Sequence, residues 1–345
     1  MMRLCPIKYG VKYSGAVQKN LYVVFGDVVK LDSATGATLV TLPAVTGDQY
    51  TLRMSAAGDK VYSFGDDGVY IYSIAGGTWT AVPSTSPLSI IQNATIAPNG
   101  DAYVSDYTYD KVLRIDASTG LVTNSATLTS PGAIVANASN VFVNTSNAGK
   151  GIYKRGMNLS AVTSAAFAQD GRALVLDATY AYATTQYGAD LRRYDLSTMA
   201  VTTLACDSSG INGSSLFISE VNGNIYLAQG NGGASAALKV VNAGTFTVSQ
   251  TATLGANAVD ILGESADGSK VYVALNNNTI VVVDVATGSI TNTHSTTYHY
   301  KATQPLEIAF TTDNGVSKID RSTHAMTVLR SDMTPSYLYG LCYDT

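Results

Sequence analysis

A short strand-like run followed by a D-x-x-T-G turn recurs along this chain, and that repetition limits its folds more than any other feature. The clearest copy is KVYVALNNNTIVVVDVATGSI, Lys270 to Ile290. Val271, Val273 and Leu275 alternate with other residues, and Ile280 to Val283 is β-branched throughout, which suits a pleated surface buried on both faces. Asn276 to Asn278 is then a hairpin tip. Asp284 to Gly288 ends the second run, because an Asp side chain accepts a backbone N–H two residues on and Gly288 tolerates the positive φ that closes a tight turn.

The same punctuation appears as LDSATG from Leu31, IDASTG from Ile115, YDLSTM from Tyr194 and IDRSTH from Ile319, with weaker forms in IYSIAGG, YKRGMN and VVNAGT. The preceding strand also repeats. Aligned on its second residue it gives Tyr22, Tyr62, Tyr103, Phe142, Tyr182, Tyr226, Tyr272 and Glu307. A Thr/Val-rich segment follows each turn, and another strand ends in IAPNGD, EVNGN or ESADGSK before the next Tyr, where Asn-Gly and Asp-Gly are strong hairpin signals. Four antiparallel strands in about 40 residues is the unit of a β-propeller blade.

The order of strand, S-P-D-G-like turn, Y-V-T-N-like strand, loop and V-x-V-I-D-x-A-T-G resembles the YVTN-type β-propeller repeats of surface-layer and related proteins. In general plan it is also similar to NHL and lactonase propellers. ESADGSKVYVALNNNTIVVVDVATGSI and APNGDAYVSDYTYDKVLRIDASTG carry the resemblance best. It spans nearly the whole chain, while the second, fourth and sixth units lack both the Asp and the T-G. The resemblance implies a fold and a habit of binding, and no single activity.

The literal count is eight four-stranded blades in an all-β propeller, with seven as the alternative because the interval before Glu307 is short. YHYKATQ supplies the inner strand of the eighth unit. Residues 20–345 form one propeller domain and residues 1–19 an N-terminal segment. The first unit starts at its Tyr-centred strand, and the chain ends in PSYLYGLCYDT, so Ser336 to Tyr343 is expected to provide the innermost strand of the first blade and close the ring. KYGVKYS, Lys8 to Ser14, is the other segment able to do so.

Composition narrows the partners. Of 345 residues only 13% are charged and the net charge is -4, which leaves no basic footprint for nucleic acid. No window approaches the roughly 18 apolar residues of a spanning helix, so membrane insertion is not expected. MMRLCPIKYG has no apolar run after its Arg and does not read as a secretory signal. Virion and cytoplasm are the compatible settings. Cys5, Cys206 and Cys342 have no framework spacing and read as free thiols, although Cys5 and Cys342 could meet at the closure.

Recognisable chemistry is sparse. His294, His299 and His324 are the only histidines and match no zinc spacing, and His294 with His299 reads as part of an exposed connector. No nucleophile elbow, Walker A or dinucleotide fingerprint follows a suitable strand. Asp32, Asp116, Asp195, Asp284 and Asp320 stand in register, but calcium needs about six to eight oxygens and each Asp has a turn to build. Neither metal nor cofactor is expected.

Binding residues are sought on the loops that join the second strand to the third. There Asp66, Asp67, Asp106, Tyr107, Tyr109, Tyr187, Asn276, Asn277 and Asn278 offer flat aromatic faces and hydrogen-bonding groups suited to a protein or glycan surface. The reading is a non-enzymatic, rigid interaction platform, such as a virus or phage particle component or a surface protein. The alternative is a cytoplasmic lactonase-like or lyase-like enzyme, for which Glu264, Arg53 and Glu220 are the inner-strand candidates, although they lie near the turn end of the strands.

Overall fold

The computed structural model describes residues 20–343 except 26, 44–48, 56, 66–67, 84–90, 147–149, 167–170, 186–189, 207–211, 231–235, 298–300, 304–306, 314 and 332–337. The described residues form eight four-stranded antiparallel sheets and no helix. The count is eight blades, not seven. The third blade shows the plan, running outward through Ile91–Ile96, Ala102–Asp106, Lys111–Ile115 and Val122–Thr127. Lys301–Thr303 is the inner strand of the eighth blade.

The first blade is assembled from both ends of the chain. Leu21–Phe25, Asp27–Leu31 and Thr38–Thr41 are joined by Leu338–Tyr343, which pairs antiparallel with Leu21–Phe25. Leu338–Tyr343 also lies beside the inner strands Lys301–Thr303 of the eighth blade and Gln49–Met54 of the second. The N-terminal segment 1–19, with Cys5 and the Lys8 to Ser14 stretch, lies outside the described residues.

Each core is a seam between two blades, because a middle strand with apolar residues on both faces must pack against both neighbours. The repeated aromatic of each blade faces the next blade. Tyr22 packs with Leu52, Tyr62 with Leu113, Tyr103 with Ile134, and Phe142 with Leu174. Tyr182 packs with Leu216, Tyr226 with Ile261, and Tyr272 with Ile308.

The eighth blade departs from this rule, and here the sequence alignment needs correction. Tyr272 pairs with Val282, two residues before Asp284, and the residue paired two before Asp320 is Ala309. Glu307 therefore sits two positions away from the aromatic register. Its carboxylate forms a 2.8 Å ion pair with Lys318 instead. The seam between the eighth and first blades is built from Ala309, Val316, Leu21, Val23 and their neighbours, without an aromatic wedge from the eighth blade.

Candidate functional site

The two ends of the blades use their polar side chains differently. At the end carrying the D-x-x-T-G turns, the repeated aspartates build the turns themselves. Asp116 Oδ1 accepts the N–H groups of Ser118 and Thr119 at 3.0 and 2.9 Å and both of their hydroxyls. Asp32, Asp195, Asp284 and Asp320 build the same turn. These bonds favour the carboxylate, so Asp116 and Asp195 are held down at about 2.

The turn before the outer strand of each blade, with or without the aspartate, ends with one residue at positive φ: Gly36, Gly77, Gly120, Leu159, Met199, Phe246, Gly288 and His324. Where glycine is absent, the side chain plugs the seam with the preceding blade. Phe246 lies 6.3 Å from the Tyr182 ring, with the Arg193 guanidinium 4.4 Å over its face. His324 Nδ1 is 2.6 Å from the Tyr272 hydroxyl.

A second fastening uses the carbonyl just after the first residue of the turn. Tyr103 donates to Met157 O at 2.6 Å, Lys154 to Leu196 O at 2.5 Å, Arg193 to Ala243 O at 3.0 Å and Lys318 to Ser33 O at 2.7 Å. Lys60 reaches Ala117 O in the same way. In each case the donor belongs to one blade and the turn to the next. These basic residues are therefore structural fasteners.

His294 also differs from the sequence expectation. It lies on the outer strand Ile290–Ser295, not in a connector, and its buried Nε2 has no partner within hydrogen-bond distance among the described residues. Burial lowers its proton affinity. Its neighbour across the seam is His324, while His299 lies outside the described residues.

At the opposite end, the candidate binding residues fall into three groups. Asp66, Asp67 and Tyr187 lie outside the described residues. Asp106, Tyr107 and Tyr109 belong to the third blade, at the turn between Ala102–Asp106 and Lys111–Ile115. Asn276, Asn277 and Asn278 form the corresponding tip of the seventh blade, between Lys270–Leu275 and Thr279–Asp284. Three blades separate these two tips in either direction around the order of sheets, so the structure does not bring them into one compact site.

Asp106 has a structural task. Its carboxylate accepts the N–H groups of Thr108 and Tyr109 at 3.1 and 3.0 Å, and the residue is only 1% exposed. Asp110, at the other end of the tip, takes a φ of 53° and accepts Ser130 N–H at 2.7 Å. Two aspartates therefore brace the tip from both sides, and the D-x-x-x-D spacing was the available signal. Tyr109 projects from it 39% exposed, with Tyr107 half-buried beside it.

The asparagine tip is exposed but partly engaged. Asn276 N–H donates to Asn257 O at 2.9 Å, and Thr279 Oγ1 donates to Asn277 Oδ1 at 2.6 Å. Asn278 takes a φ of 61° to close the hairpin.

Of the inner-strand candidates, Glu220 and Glu264 meet across one seam, whereas Arg53 lies apart on another blade. Arg53 is on the second blade, and its Nη1 donates to Leu52 O at 2.8 Å. Glu264 ends the innermost strand of the seventh blade, and Glu220 follows that of the sixth. Glu264 Oε1 accepts the main-chain N–H of Glu220 at 2.9 Å. A seryl–carboxylate contact, Ser215 Oγ to Asp260 Oδ1 at 2.7 Å, also ties two inner strands together.

No protein-family model matches the sequence, and no curated protein matches it. Solved structures do. The chain is similar to dihydro-heme d1 dehydrogenase NirN in complex with DHE, with a TM-score of 0.74 and 13% identity over 95% of this chain and 76% of that one. It is also similar to apo AztD from Citrobacter koseri, with a TM-score of 0.67 and 14% identity over 94% and 97% of the two chains. A computationally designed protein, Ika8, gives a TM-score of 0.71 and 14% identity over 92% and 98%. At these identities the likeness establishes the β-propeller fold alone.

Proposed function

We propose that this protein is a rigid binding platform that holds a protein or glycan surface through the loop end of its ring without turning it over. The observation that carries this reading is the braced tip of the third blade. Asp106 and Asp110 fix its backbone, and Tyr109 stands exposed on it, so little freedom is lost when a partner covers the ring. The separation of the tyrosine and asparagine tips favours a broad partner over a small molecule. The resemblance of the repeats to YVTN-type propellers supports the same role. The alternative, a lactonase-like or lyase-like enzyme, stays open because this fold hosts unrelated activities.

Replacing Tyr107 and Tyr109 together by Ala is expected to weaken binding at least about tenfold on a glycan array or a partner pull-down, while the melting temperature holds. Lactone hydrolysis by the purified protein, abolished by one carboxylate substitution and unaffected by the tyrosine pair, would move the protein to the enzyme class.

We also propose that Leu338–Tyr343 keeps the ring shut, as its pairing with Leu21–Phe25 supports. Removing Pro335 to Thr345 leaves an inner sheet edge unpaired. The truncated protein is expected to lose its single cooperative transition or to aggregate, and unchanged melting would show that another segment closes the ring.

A further inference from the structure

Glutamate occurs only three times in the sequence, at Glu220, Glu264 and Glu307. Glu264 is the unusual one. It is 0% exposed and stands at the end of an inner strand, paired with Val271. At the same register the third blade has Ile96 opposite Ala102, and the sixth has Ile218 opposite Ile225. A carboxyl thus occupies a position that other blades fill with hydrocarbon.

Its surroundings come from three consecutive blades. Oε1 accepts Glu220 N–H from the sixth blade, and Oε2 is buried with no donor within hydrogen-bond distance among the described residues. The Ser219 and Tyr226 hydroxyls of the sixth blade also face the carboxyl. Tyr226 accepts Asn222 Nδ2 at 3.2 Å. Arg321 of the eighth blade donates Nε to the main-chain carbonyl of Glu264 at 2.6 Å, so that hydrogen bond serves the backbone and not the carboxylate. The facing titratable groups are therefore Glu220 and Tyr226 from one side and Arg321 from the other, with Asp267 on the turn that follows. An anion with one oxygen unsatisfied is the costlier form in such a place, and Glu220 adds like-charge repulsion.

We propose that Glu264 is a proton-binding site that couples pH to the tightness of the junction between the sixth, seventh and eighth blades. A proton from solvent adds to Oε2, leaving a neutral carboxylic acid that keeps the Oε1 bond to Glu220. Loss of that proton places a negative charge inside the seam and loosens it. Burial raises the proton affinity of Glu264 above the ordinary value near 4.5, which agrees in sign. A group that holds its proton more tightly when folded contributes fully below the unfolded value. That contribution is lost as pH rises through the folded value.

With only three glutamates, a protein labelled with 13C at glutamate gives three side-chain carboxyl signals to titrate. Glu220 is exposed, so Glu220→Gln assigns one signal without touching the core. One of the two remaining carboxyls is expected to titrate above the ordinary range and to be absent in Glu264→Gln. The same variant is expected to melt a few degrees above wild type at about pH 8 and level with it at about pH 4. Three ordinary titrations in the wild-type protein would overturn the proposal even if Glu264→Gln failed to fold. A variant that melts below wild type by the same margin at every pH would overturn it as well.

Discussion

Tyr103 and Tyr109 lie on the same blade, one at each end of the second strand and its tip, and they do opposite things. Tyr103 is 0% exposed, donates to a carbonyl of the next blade, and has its hydroxyl pushed up to about 12 by burial. Tyr109 is exposed at a braced tip. The residue type is identical, so position along the strand decides the role. The turn end spends its tyrosines, lysines and arginines on holding blades together, and the loop end leaves an aromatic available.

The turn end itself solves one packing problem in two ways, and substitutions there separate them. At Gly36 the glycine turn lets backbone approach backbone. A Cβ on Gly36 would lie 2.0 Å from Leu329 O of the eighth blade, at a φ of +73°. Gly36→Ala is therefore expected to give the largest loss, beyond about 3 kcal/mol, because neither contacting group is a movable side chain. Gly77→Ala is its control, since the same turn geometry meets nothing within 4 Å there. It is expected to lose only about 1 to 2 kcal/mol of backbone strain. Equal losses in the two variants, measured by chemical denaturation, would mean that close approach is not what glycine supplies.

Plugged turns accept strain in exchange for burial. Phe246→Gly removes a buried ring, at about 3 to 5 kcal/mol, and relieves a left-handed backbone cost of about 1 to 2. A net loss of about 1 to 4 kcal/mol is expected. If the variant were more stable than wild type, the seam would not depend on the plug.

The turn aspartates and the buried Glu264 have opposite pH signs. The turn aspartates hold their protons more weakly when folded, so their contribution is complete above the ordinary carboxylate value and is lost as pH falls toward about 2. Asp116→Asn is expected to flatten the acid limb of a melting-versus-pH curve slightly. These groups are only half-buried, and solvent screening keeps the effect small. Burial lowers the proton affinity of His294 too, so any stability it contributes is lost as pH falls below the ordinary histidine range.

Much of the fold was legible because each blade is punctuated locally. Asp284 and its counterparts bond residues two and three positions away, so the signal sits inside a short window. The seams were not legible in the same way. Lys318 and Ser33 are 285 positions apart, and nothing near either residue indicates the other. STM, STH and VVNAGT lack the T-G, and nothing local to them shows that Met199, His324 and Phe246 are seam-filling side chains. Glu307 was misaligned by two residues because the repeated aromatic position holds Ala309, and the aromatic of LEIAF, Phe310, stands one residue beyond it. The loop-end site was the least legible. Hydrogen bonding by Asp106 and Asp110 braces the tip, whereas composition alone made Asp106 resemble a ligand contact.

The most direct test places Tyr103→Ala and Tyr109→Ala side by side, with thermal melting and partner or glycan binding measured on both. Tyr103→Ala is expected to lose about 3 to 5 kcal/mol of stability, as removal of a fully buried ring does. Tyr109→Ala is expected to melt with wild type and to bind at least about tenfold more weakly. Matching stability losses, or a Tyr109→Ala protein that binds like wild type, would contradict the division between an end that builds the ring and an end that meets the partner.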